Sequence, residues 1–415
     1  MRFLFTPPAE AATDLLTLPW ADPLERWQDE RVIEIPQTGR TRHVVRFVAA
    51  GDGLFALKEL PEPRARREYR VLRRLRELGV PAVGVLGVVV DRPADREAVL
   101  VSRFLEHSMS FLALFADPRG VHLTRRVMDA QVELLVRLHL AGVVWGDCSL
   151  ANTLFRSDAG TLAAYLVDAE TGEVHERLSQ EQRDHDLEVA YGRVTEELTD
   201  LRARGALAAD VDPALAAADL VARYEQLWAE LTGEEVLPRD QQRLRIGARI
   251  RRLQELGFEV GEVEVVEDPA GVSRLRLTTR VAEPGDNRRQ LFTATGLDVQ
   301  ENQARRLLAD IACHRSRLER EEQCHVPDAV AALRWRAEVY EPALAEVPPS
   351  LRSGLDDAEV FHEMLEHGWR LSEAAGRDVG PVAAARDYVD SVLATAAGDP
   401  VAPALLRTAR PRPAP

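Results

Sequence analysis

An Asp and an Asn stand five residues apart in Trp145-Gly146-Asp147-Cys148-Ser149-Leu150-Ala151-Asn152, directly after a long apolar helical pattern. About sixteen residues on, Asp168 ends the apolar run Ala164-Tyr165-Leu166-Val167. Two carboxylates and an amide oxygen are hard donors of the kind Mg²⁺ prefers. Bringing them together requires a helix, a polar loop and a strand to fold back on one another. That requirement narrows the architectures open to this chain more than anything else in it.

Composition sets the outer bounds. A chain of 415 residues, 46% of them hydrophobic, is long enough for two or three domains with sizeable cores. The formal net charge of -15 argues against broad binding to nucleic acid or anionic membranes, whose phosphates it would repel. Cys148, Cys313 and Cys324 are too few for a disulfide framework, which points to a reducing, cytoplasmic compartment. The start of the chain, MRFLFTPP, lacks the long apolar core of a signal peptide, and no apolar run is long enough to read as a membrane span.

Residues 1–30, with several prolines and two tryptophans, read as an irregular or partly helical lead-in. Strand patterns follow at 31–35, 43–48 and 54–58, separated by turns, and the spacing predicts an antiparallel meander. Residues 64–78 form an amphipathic helix with Val71, Leu72, Leu75 and Leu78 on its apolar face, ended by Gly79. Two buried strands are expected at 83–90 and 98–101, then a long helix over 123–141. Five strands with one helix after the third, then helices, predict a two-lobed α+β layout. Farther on, 213–231 and 239–256 read as helices, and 258–267 and 272–281 as strands joined by Asp268-Pro269-Ala270-Gly271. A third strand is expected at 289–293, a long helix at 298–321, and more helix over 327–396. The expected domains are an N-lobe at 31–105, a C-lobe at 106–205, a small α+β module at 206–325, a helical region at 326–400 and a disordered tail at 401–415.

Lys58 closes the apolar strand Phe55-Ala56-Leu57-Lys58, and a lysine so placed can reach nucleotide phosphates if a carboxylate fixes its ammonium. Glu68, on the following helix, is the natural partner. Taken singly, Lys58 reads as readily as an exposed strand-end lysine, and Glu68 as a solvated carboxylate among arginines. Their order with Asp147, Asn152 and Asp168, each on the right kind of element, favours the paired reading.

In that order the residues resemble the protein-kinase-like superfamily. Residues 30 to about 200 are closest in style to its lipopolysaccharide (Kdo) kinase and aminoglycoside phosphotransferase branches, which use His-Gly-Asp and so match Gly146-Asp147. The resemblance implies a two-lobed protein-kinase-like fold, with an antiparallel N-lobe sheet, a helical C-lobe and an additional mixed, mostly helical C-terminal domain. It implies ATP and Mg²⁺ as cofactors, Asp147 orienting the acceptor hydroxyl, Lys58 held by Glu68 on the phosphates, and Asn152 and Asp168 as Mg²⁺ ligands. Asp186 would brace the loop from the next helix, in competition with Asp184. Arg103 and Phe104, in the linker 102–106, would present backbone groups to adenine. The runs Phe361-His362-Glu363-Met364-Leu365-Glu366-His367 and Gly376-Arg377-Asp378-Val379-Gly380 look like a domain of unknown function that follows this kinase-like region in actinobacterial proteins.

Several positions depart from the superfamily pattern. Trp145 stands where His is usual, so the support that His gives the loop must come from elsewhere. Ser149 stands where a Lys or His usually meets the γ-phosphate; its hydroxyl could bond a phosphate but brings no charge. Asp168-Ala169-Glu170 replaces Asp-Phe-Gly, with Glu170 open between metal ligand and water-facing side chain. No Gly-x-Gly-x-x-Gly lies between the first two strands, and the turn at 38–43 is the substitute. There Gly39 would permit close approach and Arg40 or Arg42 would meet phosphate, unless the turn is only a solvated basic one. No Ala-Pro-Glu follows Asp168, and the interval to Asp186 leaves little room for a peptide platform. A small hydroxylated acceptor, sugar-like or lipid-linked, is therefore favoured over a protein.

In the C-terminal half, His362 and His367 are five residues apart, so their rings diverge by about 140° around a helix and make poor joint ligands. Cys313-His314 and Cys324-His325 would lie about 16 Å apart along one helix, too far for a shared zinc. Packed helices are the better reading. The sequence thus points to an ATP- and Mg²⁺-dependent phosphotransferase, which needs a nucleotide and a small acceptor and involves no nucleic acid. Its rival is a nucleotide-binding pseudokinase that regulates or interacts through a protein partner on the C-terminal half; Trp145, Ser149 and the missing glycine loop motivate it. Transfer of AMP to a protein is a third option.

Overall fold

The computed structural model describes residues 1–35, 42–116, 123–159, 161–233, 235–237, 258–267, 273–281, 286–348, 356–377 and 379–393. The chain forms two compact units, one of residues 1–155 with 164–283 and one of residues 156–163 with 284–415.

The first unit opens on β1 (Arg2–Phe5), β2 (Val32–Ile33), β3 (Val44–Ala50), β4 (Gly53–Leu60), β5 (Val85–Val90) and β6 (Ala98–Arg103). They make one antiparallel sheet in the order β1-β5-β6-β4-β3-β2. Five of these strands match the expected alternation. The sixth, β1, corrects the reading of the lead-in: Phe3 lies opposite Val89, so the chain begins as a sheet strand. Only four apolar residues precede Pro7, too few for periodicity to register.

A short helix, α1 (Ala12–Leu16), follows, and the lead-in then packs on the sheet. Trp20 and Trp27 meet edge to face at 5.3 Å in one core with Leu15, Leu24, Val48, Phe55 and Val89. Arg92 pins this arrangement. Buried, it donates to the carbonyls of Trp20 (2.8 Å), Asp22 (2.5 Å) and Glu97 (2.7 Å) and to the Glu59 carboxylate (2.5 Å). Gly51, at φ 57°, turns β3 into β4 where a Cβ would stand 2.8 Å from the Glu10 carbonyl oxygen, so only glycine fits.

Helix α2 (Glu62–Glu77) buries Glu68, Val71, Leu72 and Leu75, which its i, i+3, i+4, i+7 spacing places on one face. The helical lobe comprises α3 (Phe111–Phe115), α4 (Leu123–Leu140), α5 (Gln180–Ala203) and α6 (Pro213–Thr232). A capping box of Ser179 and Gln182 starts α5, and Asp212 caps α6 ahead of Pro213. Short strands accompany these helices: β7 (Met109–Ser110), just ahead of α3, pairs with β9 (Thr153–Asp158), which neighbours β10 (Thr161–Leu166). Beside them β8 (Val143–Val144) pairs with β11 (Glu173–Val174). Farther on, β12 (Glu235–Leu237) and β13 (Phe258–Glu267) flank β14 (Ser273–Val281). The helix expected at 239–256, the turn at 268–271 and the tail from 401 lie outside the described residues.

The third strand expected at 289–293 is instead part of α7 (Asp286–Thr295), which opens the second unit's main segment. Leu291 is buried within it and Gly296, at φ 74°, ends it. A five-residue stretch with two apolar residues, Leu291 and Phe292, is too short to separate helix from strand. The unit continues with α8 (Glu301–Glu322), α9 (Asp328–Trp335), a π-helical turn at Arg336–Tyr340, α10 (Glu341–Ala345), α11 (Asp357–Ala375) and α12 (Pro381–Tyr388). They surround a core of Leu307, Trp335, Tyr340, Phe361 and Met364. His362 sits 3.4 Å from Glu366, while His367 meets Asp387 at 2.6 Å, so the two rings face different partners. Among the described residues no group of three or more His, Cys, Asp or Glu could hold a metal ion, and no helix is long and apolar enough to cross a membrane.

Candidate active site

Strand β4 ends among buried neighbours with Lys58 turned toward α2. Its Nζ lies 3.1 Å from Glu68 Oε2 and 2.7 Å from Asp168 Oδ2. Burial opposes the charge on Lys58, but Glu68 and Asp168 together outweigh it and raise the lysine's pKa. Burial pushes Glu68 up to about 8, with the charge on Asp168 adding to the shift and Lys58 offsetting part of it. Two acids thus share one base at a site where Glu68 is buried and Asp168 partly open to solvent, and an added cation there would relieve the excess.

The loop after α4 supplies the rest. Asp147 Oδ1 accepts from Arg193 Nε at 3.0 Å, and its Oδ2 accepts from Asn152 Nδ2 at 3.1 Å. The same Asn152 nitrogen donates to the Asp147 carbonyl at 3.2 Å, so its amide oxygen is turned to the opposite side. Val167 N–H donates to the Asn152 carbonyl at 3.0 Å, which ties the loop to the chain carrying Asp168. Asp168 Oδ1 in turn accepts from the Glu170 amide at 3.1 Å.

Two buried groups hold this loop. Asp186, fully buried on α5, accepts from the amides of Trp145 (2.7 Å) and Gly146 (2.8 Å) and meets His139 Nε2 at 3.1 Å. The competing Asp184 does not take this place. Burial lowers the pKa of His139 although Asp186 pulls the other way, and its second ring nitrogen meets the Tyr224 hydroxyl at 2.7 Å. Trp145 corrects the expectation that support must come from elsewhere. Its own indole Nε1 donates to the Asp168 carbonyl at 3.1 Å, because an indole offers a ring N–H donor as an imidazole does.

Other expected residues fall differently. Ser149 is buried, and its hydroxyl accepts from the Asn152 amide at 3.2 Å, so it serves the turn and not the charged cluster. Glu170 does not face water: buried, it meets His43 Nε2 at 2.9 Å and Arg64 at 3.5 Å. Arg42 is exposed, while Gly39 and Arg40 lie outside the described residues. The Arg103 guanidinium lies 6.0 Å from the Phe55 ring centre, and Phe104 meets Phe47 edge to face at 5.6 Å. The amides of Arg103 and Phe104 donate to the Gly84 and Leu54 carbonyls, closing the linker onto the sheet.

Two residues went unread in the sequence. Arg193 grips Asp147, and Glu197 accepts from the Leu150 and Ala151 amides at 2.9 Å each. Burial raises Glu197 to about 7, against the lowering effect of those two amides. The signal was present: 186, 190, 193 and 197 recur at i, i+4, i+7 and i+11, which puts three polar residues and a buried alanine along one face of α5.

An antiparallel sheet bearing a Lys–Glu pair, followed by a helical lobe whose loop carries Asp147 and Asn152, defines a protein-kinase-like region. Residues 52–212 match the model of the lipopolysaccharide kinase (Kdo/WaaP) family, and residues 226–393 match DUF4032, a domain of unknown function. The chain thus joins a kinase-like region similar to the first family to a region similar to the second. Among solved structures, WaaP in complex with acyl carrier protein is similar at 18% identity over 62% of this chain and 99% of that one, with a TM-score of 0.37. A search of curated proteins returned no match.

Proposed function

We propose that the kinase-like region is an ATP- and Mg²⁺-dependent phosphotransferase acting on a small hydroxylated acceptor. One observation carries this reading: Lys58, Glu68 and Asp168 meet in a single ion cluster, and the Asp168 backbone is bonded to the loop bearing Asp147 and Asn152. Asp168 and the outward amide oxygen of Asn152 are hard donors and fit Mg²⁺. When bound, that ion would neutralise charge on the nucleotide phosphates.

The chain's own residues would do the rest. Lys58, fixed by Glu68, holds the α- and β-phosphates. The sheet holds the Arg103 and Phe104 amides, so adenine would meet other backbone groups of the linker 102–106. Asp147 orients the acceptor hydroxyl and takes its proton late, as the new bond to the γ-phosphorus forms and the bond to the bridging oxygen breaks. Arg193 keeps that carboxylate aimed, supplying from α5 the cation that Ser149 does not. Between Asp168 and α5 the chain holds only a short segment, which favours a sugar-like or lipid-linked acceptor over a peptide.

Lys58→Ala and Asp168→Ala should each lower ATP consumption by at least about 10²-fold while circular dichroism stays native. Equal consumption by wild type and both variants rejects the proposal. The inward Ser149 favours a second reading, a nucleotide-binding pseudokinase whose C-terminal half engages a protein partner. Thermal stabilisation by ATP and Mg²⁺ without transfer to any of a broad acceptor panel would select it.

A further inference from the structure

The second unit contains a cavity of about 500 Å³, within the range of small-molecule sites. Its lining divides by chemistry. Trp335, Phe361 and Met364, each at most 2% exposed, form its floor, and the accessible apolar surface comes from Leu365 and Trp369, the latter 67% exposed. At Gly368, between these last two, an added Cβ would stand 2.8 Å from the Ala384 Cβ, so glycine lets α11 and α12 close tightly along the wall.

Arg317 and Arg320, one turn apart on α8, bring positive charge to the same lining. Arg317 bonds to His314 Nδ1 at 2.8 Å and lies 4.0 Å from Glu321. Arg320 has no acidic partner among the described residues; its Nε donates to the Ser316 carbonyl. The lining's carboxylate, Asp310, is already engaged by the Trp335 indole at 2.6 Å.

We propose that this cavity binds a single-chain acidic amphiphile. Its apolar chain would lie against the accessible side chains of Leu365, Trp369 and Val379, and its carboxylate or phosphate head would pair with Arg317 and Arg320. Guanidinium forks suit either head, and the apolar side chains shield part of the chain from water. The proposal is independent of the phosphotransferase reading.

Cysteine alkylation of the full-length wild-type protein tests it. Cys313 is exposed and lines the cavity, Cys324 is exposed outside the lining, and Cys148 is buried. Decanoate and decyl phosphate, or one of them, should slow iodoacetamide modification of Cys313 saturably and leave Cys324 unchanged, as read by mass spectrometry. The head that protects at the lower concentration identifies the ligand's acid. 1-Decanol should not protect at matched concentration, and the double variant Arg317→Ala/Arg320→Ala should need at least about tenfold more ligand. The proposal falls if neither acid protects Cys313, if decanol protects equally, if Cys324 slows in parallel, or if the arginine variant protects like wild type.

Discussion

Arg193 reaches Asp147 across 46 residues of sequence, to the point where the loop's own Ser149 offers a buried hydroxyl. Its side chain is 41% exposed, so the pair adds little to stability, and its value would lie in aiming the carboxylate. Arg193→Ala should reduce turnover by about 10²-fold with little change in melting temperature, and Arg193→Lys should recover part of it. Steady-state rates equal to wild type would remove Arg193 from the mechanism. Glu197 makes a prediction of a different kind. Its folded-state pKa of about 7 lies above the ordinary glutamate value, so the native state keeps a proton that the unfolded chain has lost. The resulting contribution is favourable at low pH and fades as pH rises to 7. Relative to Glu197→Gln, wild type should lose on the order of 2 kcal/mol between pH 4.5 and pH 7.5 in urea unfolding, and a flat difference would contradict the assignment.

At the scale of elements, the lead-in is held to the sheet by one buried cation. Replacing Arg92 with Met leaves the Glu59 carboxylate and three carbonyls without their donor and should cost about 3–5 kcal/mol, read as a lowered melting temperature. A change below about 1 kcal/mol would mean that the tryptophans alone anchor this segment. Elements with a long apolar period were legible in the sequence: α2, α4 and α6, and the strands β3 and β4 on either side of Gly51. What escaped was short. β1 spans four residues and gains its identity from Val89 across the sheet, a partner that no local pattern names. Likewise α7 looked like a strand because only a few of its residues were weighed.

For the whole molecule, the ion cluster was legible because order along the chain and element type together specified it. Lys58, Glu68 and Asp168 span more than a hundred positions and still meet. Arg193 and Glu197 share the periodic face of Asp186 on α5, a weaker signal that names no partner, and the Trp145 indole acts through a ring orientation that sequence does not state. The family matches change over between residues 212 and 226, whereas the compact units divide near 283, so the β12–β14 sheet packs with the kinase-like region yet carries the DUF4032 sequence.

An indole keeps its hydrogen at any acidity a protein survives, whereas an imidazole can trade donor for acceptor or gain a second proton. By hanging the Asp168 carbonyl from Trp145, this chain has made that fastening indifferent to acid. The exchange is bulk for constancy: the bicyclic ring is almost entirely enclosed, and reverting it to the smaller heterocycle would open a void that the surrounding side chains would have to refill.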